Sequence, residues 1–148
     1  MARLTKEKLE AAIGGATILR DLLDRDGDGV ADDALVEKAI RDAESEAASA
    51  VEVVYDLSDP RLDESLVLED YKLKLAVYHA YKIGTSGQAI PQDVRDDYDK
   101  AVAWLDKLAN RQRGAGVRNP PATSFPVKVV DIDPQRTRTS RRNMKGFC

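Results

Sequence analysis

Asp24, Asp26 and Asp28 alternate along a polar stretch that reads Asp24-Arg25-Asp26-Gly27-Asp28-Gly29-Val30-Ala31-Asp32-Asp33. Carboxylates at alternate positions, with turn-forming residues between them, form a pattern that converges oxygen atoms on a hard cation. Set against a calcium loop of the EF-hand kind, the three aspartates fall at positions 1, 3 and 5. Gly29 supplies the sharp turn at position 6, the carbonyl of Val30 falls at 7 and Asp32 at 9. Position 12 departs from the pattern. It is Leu35, where a bidentate glutamate would close the site, and Glu37 comes two residues later. The same residues also make a solvated, aspartate-capped turn between two helices. Both readings stand at this point. Calcium is the one cofactor that the residues offer, and nothing in the chain requires it.

Other chemistry-bearing residues are scattered. His79 is the single histidine, inside a helical stretch between Tyr78 and Ala80, and it reads as a satisfied structural histidine. The acid pairs Glu69-Asp70 and Asp96-Asp97 fall within helical patterns. Adjacent helical side chains diverge by about 100°, so neither pair converges on one substrate atom. They read as solvated faces. No Ser-His-Asp set, phosphate loop or zinc spacing is present, and Gly27 and Gly29 lie among aspartates that would repel a phosphate. The expectation is a protein that is not an enzyme. One cysteine, Cys148, permits no internal disulfide.

The elements that position these residues read as helices. Thr5 caps a first one over 6–13, with Leu9, Ala12 and Ile13 as its apolar side, and Gly14-Gly15 ends it. A short second helix over 16–23 carries Ile18, Leu19, Leu22 and Leu23. After the aspartate loop, capped by Asp32 or Asp33, a long helix over 34–55 places Val36, Ile40, Ala43, Ala47, Val51 and Val54 on one face. Glu44, Glu46 and Glu52 lie off that stripe and are expected to face water. Pro60 breaks the chain. A helix over 65–83 carries Leu68, Tyr71, Leu75, Tyr78 and Lys82 at helical spacing, widened by Leu73, Ala76 and Val77. Pro91 opens the last helix, over 91–111, with Val94, Tyr98, Ala101, Leu105 and Leu108 as its stripe and Trp104 beside it.

The pattern changes at Gly114. Residues 1–113 hold 16 Lys+Arg and 24 Asp+Glu, a net of −8, whereas residues 114–148 hold 7 and 2, a net of +5; the two sum to the chain's −3. The first part is a helical body. The second is an extended basic docking arm in which Gly114, Gly116, Pro120, Pro121, Pro126 and Pro134 prevent a continuous helix. Within it Phe125, Val127 and Val129 alternate as one strand would, and such a strand finds its partner on another chain. Arg136, Arg138, Arg141 and Arg142 follow, with Met144 and Phe147 as apolar anchors. That arginine run lacks interleaved aromatics and belongs to an acidic chain, so it favours a protein partner over nucleic acid. The fold class is therefore all-α: a small antiparallel bundle of about five helices, three of them long, with an extended C-terminal arm holding one candidate strand. No apolar run approaches the roughly 18 residues of a membrane span.

Several features in order carry a resemblance. A short helix ends in Gly14, and an aspartate-rich loop precedes Ala34-Leu35-Val36-Glu37-Lys38-Ala39-Ile40-Arg41-Asp42-Ala43. A Tyr55…Pro60 turn, the helix around Leu75-Ala76-Val77-Tyr78, the helix Val94…Tyr98…Ala101…Leu105 and a closing Arg138-to-Arg141 stretch follow. Together they resemble the Mu-like phage and prophage head–tail connector (adaptor, head-completion) virion proteins. The resemblance implies a structural virion protein: a helical bundle forming a ring, of about twelve copies, beneath the portal protein. That ring extends the DNA channel without sequence-specific binding and gives the downstream neck or tail protein a platform. It further implies synthesis in the host bacterial cytoplasm, a place at the head–tail interface of the virion, and no membrane partner. The alternative from the residues alone is a calcium-binding helical module with an EF-hand-like Asp loop.

Overall fold

A computed structural model describes residues 1–116 of the chain. The strand expected over Phe125–Ile132 and the partner-binding residues from Phe125 to Phe147 lie outside the described residues. Five α-helices follow in order: α1 (Lys6–Ile13), α2 (Ala16–Leu23), α3 (Asp33–Val51), α4 (Leu66–Gly84) and α5 (Gln92–Ala109), with one 3-10 turn at Pro60–Leu62. No strand occurs among the described residues.

Local chemistry sets most of these ends. The Thr5 hydroxyl accepts the Lys8 amide at 3.3 Å, satisfying one of the donors that a helix start leaves free. Gly14 closes α1 at φ 109°, a left-handed conformation that costs a residue with a Cβ dearly. Ser65 caps α4 by accepting the Leu68 amide at 3.2 Å. The third helix stops at Val51, four residues short of the expected end at 55. Val51, Val53 and Val54 are β-branched and helix-poor, and the chain turns through Val51–Tyr55 by backbone bonds from Val54 and Tyr55 to the Val51 carbonyl. Asp56 then holds the bend by accepting the Ser58 amide and hydroxyl at 2.9 and 2.7 Å.

The fourth helix is the hub. It packs against α1, α2, α3 and α5, while α3 also meets α5 and α1 meets α2. Two ring stacks show how α4 and α5 run. Tyr71 stacks on Trp104 at 4.5 Å and Tyr78 on Tyr98 at 3.8 Å. Advancing along α4 retreats along α5, so the two are antiparallel. Of the stripes expected on α3 and α5, Val36, Ile40, Ala43, Ala47 and Val51 and then Ala101, Leu105 and Leu108 are buried, joined by Ala39 and Trp104, whereas Val54, Val94 and Tyr98 are half-buried. Lys82, expected on the apolar face of α4, is exposed instead, and the buried lysine is Lys72. A helix surrounded on several sides has no single stripe, so spacing alone picks the wrong lysine.

Small residues set the spacing of the bundle. Ala39, Ala43 and Ala47 of α3 and Ala76 and Ala80 of α4 are fully buried. At the end of α4 the approach is closer still: a Cβ on Gly84 would lie 2.6 Å from the Leu22 carbonyl oxygen. Backbone cannot yield as a side-chain tip does. Gly84→Ala should therefore cost about 1–3 kcal/mol of stability, read as a lowered urea midpoint with helical circular dichroism retained.

Candidate functional site

The aspartate loop between α2 and α3 brings its first three acids together. One carboxylate oxygen from each of Asp24, Asp26 and Asp28 falls within a group whose atoms lie no more than 4.8 Å apart. The loop's own amides organise them. Asp24 accepts from Gly27 (2.7 Å), Asp28 (3.2 Å) and Gly29 (2.9 Å), and Asp28 accepts from Val30 at 2.8 Å. Gly27 and Gly29 take positive φ, 75° and 83°, which lets the chain curl back on itself. Asp32 is not in the three-carboxylate group. It stands at the start of α3 with no side-chain capping bond, while its amide donates to the Leu23 carbonyl. The sequence-derived ligand set is thus gathered at Asp24, Asp26 and Asp28.

The electrostatics of the trio are those of crowded acids. Burial pushes Asp24 upward, but the amides of Gly29 and Gly27, with the Asp26 carboxyl, bring it below the ordinary range. At Asp26 the Asp28 amide pulls downward. The hydrogen bond with Asp24 and the neighbouring negative charges outweigh it and raise the carboxyl. One acid of the pair thus ionises at the expense of the other.

A second polar cluster joins three helices. Glu46 of α3 receives the Tyr98 hydroxyl of α5 at 2.9 Å and meets Nε2 of His79 of α4 at 2.9 Å. Glu46 was expected to face water; it is turned instead into the α3–α4–α5 junction. Glu44, expected likewise outside, accepts the Leu4 amide at 2.6 Å. Beside it the buried Lys72 donates to the Ala2 carbonyl, and burial lowers its pKa against the pull of Glu44 and Glu69. These links tie residues 2–4 to α3 and α4. The sole sequence clue to either cluster was the presence of lone polar residues within apolar helices. His79, expected to be a satisfied histidine, has Glu46 as its hydrogen-bond partner. The acid pairs are surface pairs: Glu69 meets Lys8 at 2.8 Å, Asp70 meets Lys74 at 3.1 Å, and Asp96 accepts from Gln92 at 2.8 Å.

A third feature lies just past the sequence break at Gly114. Ala115 is buried, its amide donates to the Tyr55 hydroxyl at 3.3 Å, and its carbonyl accepts the Ser65 hydroxyl. Gly116 lies close to Val67. The chain therefore leaves α5 and is pinned at the start of α4. Near that point Leu66 and Val67 are exposed, Leu66 at 81%. No helix among the described residues is long and apolar enough to cross a membrane.

The Tyr98 hydroxyl is pushed up to about 12 by burial and by its bond to Glu46. Its neutral form is favoured in the fold. The resulting stability is complete below about pH 10 and is lost as pH rises from there through about 12. Tyr98→Phe should shrink the alkaline loss across that window, measured by urea unfolding at stepped pH. A slope equal to the parent's would show that Tyr98 does not carry it.

The family model described as bacteriophage Mu, Gp36 matches residues 4–128. No curated protein and no solved structure matches the chain.

Proposed function

The chain belongs to the bacteriophage Mu Gp36 family, and from that membership we propose that it is a structural, non-enzymatic virion protein: a head–tail adaptor that forms a ring under the portal. The family match, which runs from the body into the arm, is the observation that carries this reading. The charge division supports it. An acidic helical body lets a DNA backbone pass along a ring wall without being gripped. A basic arm with apolar residues at alternate positions suits docking on a protein neighbour, whether portal, neck protein or second copy. The pinned Ala115 gives that arm a fixed origin on the body.

The test is co-assembly with the cognate portal, scored by electron microscopy. Full-length protein should add a ring to the portal, whereas a chain ending at Gly116, which keeps the Ala115 anchor, should leave portals bare. Bare portals with both forms would overturn the adaptor reading.

A second reading is favoured by the convergence of Asp24, Asp26 and Asp28. Under it the loop holds a calcium ion that fixes the α2–α3 connection, compatible with either role for the whole protein. Without a glutamate at position 12 the affinity belongs in about the millimolar range. Calorimetric titration should then show calcium binding that is lost in Asp24→Asn, and calcium should raise the melting temperature of the parent alone. Equal responses in parent and variant would remove the loop from consideration.

A further inference from the structure

The helices α1, α4 and α5 bound an open cleft of about 580 Å³. Its floor is apolar: Ala12, Ile13, Leu73, Val77 and Val94. Of these only Ile13 is fully buried; Leu73, Val77 and Val94 are half-buried and Ala12 is exposed. Two lysines and three aspartates ring it, Lys8, Lys74, Asp70, Asp93 and Asp97. The lysines are already committed, Lys8 to Glu69 at 2.8 Å and Lys74 to Asp70 at 3.1 Å. Asp93 forms no ion pair among the described residues, whereas Asp97 meets the exposed Lys100 at 3.5 Å and also lies in the field of Lys74. The charge left over at the rim is negative.

We propose that this cleft receives the arm segment Phe125–Arg142 of a second copy of the chain. Three properties of that segment match the cleft. Phe125, Val127 and Val129 alternate, so an extended chain presents them on one side. They span about 13 Å at 3.3 Å per residue. The cleft runs along α4 from Asp70 to Tyr81, about 16 Å at 1.5 Å per residue. Beyond Asp131 and Asp133, the arginines Arg136, Arg138, Arg141 and Arg142 bring the positive charge that Asp93 lacks. Arm and cleft are different surfaces of the same chain. Their pairing is heterologous, the kind of contact that closes into rings when the rotation permits. The proposal thus rests on the ring reading and names the element that joins its subunits.

The test uses the full chain with a photoreactive phenylalanine at position 125, mixed from ordinary and ¹⁵N-labelled copies, with and without portal. Cross-linked peptides are mapped by mass spectrometry. Mixed-isotope links from position 125 to Leu73–Tyr81 or Val94 are expected. Ala12→Trp, a change at an exposed helix position that fills the cleft, should lower their yield tenfold or more, and Asp93→Lys should lower it several-fold. Links confined to single copies, links elsewhere on the second copy, links to the portal alone, or no links would each overturn the proposal. If portals still gain a ring in such a case, the adaptor reading survives and only the cleft assignment falls. An unchanged yield in Ala12→Trp would overturn it as well.

Discussion

The close seating of α4 among four other helices is the constraint on which the body depends. A helix packed on several sides must present small residues where backbones draw near, and α4 does so with Ala76, Ala80 and Gly84. Once it is seated there, the remaining elements have fixed places. The α1–α2 pair lies against it, α3 meets it through an alanine-rich side, and α5 returns along it by way of two aromatic stacks. Dispersion between close atoms scales with contact, and small residues allow many contacts at short range. The cost of the arrangement is intolerance: an added methyl at Gly84 meets the Leu22 carbonyl, not a movable side-chain end.

Polar groups inside such a bundle must be satisfied within it. Glu46 serves both His79 and Tyr98, so one carboxylate ties three helices together at a single level. Lys72 and Glu44 do the same for the chain ahead of α1, bringing residues 2–4 onto α3 and α4. No buried side-chain nitrogen or oxygen among the described residues lacks a partner. Directional bonds at fixed heights act as register marks for helices whose apolar faces alone would allow some sliding.

The helices were legible because their signals are local. Thr5 and Gly14 bracket α1, Pro91 precedes α5, and the stripes on α3 and α5 repeat at helical spacing. The aspartate loop was legible for the same reason, since its bonds run between near neighbours. Glu46, Lys72 and the Ser65–Ala115 contact were not. Their partners lie 33 to 70 residues away in sequence, and no local pattern encodes a meeting at that distance. On α4, burial on several sides erased the two-sided pattern by which Lys82 and Lys72 would be told apart. The early end of α3 was obscured because its valines continue the apolar spacing past the point where β-branching and the Asp56 bend turn the chain.

The pinning of Ala115 has a mechanical consequence. A strand pulled at its end peels from the last contact inward, one bond at a time, unless the load enters elsewhere. Here tension carried along the chain past Gly116 meets the Tyr55 and Ser65 hydroxyls before it meets the last turn of α5. Ser65 is also the cap of α4. A pull on the arm is therefore delivered to the start of the central helix, while the end of α5 is shielded from unzipping. If the arm holds the chain in an assembly, as proposed, load on it would reach the body without unravelling α5.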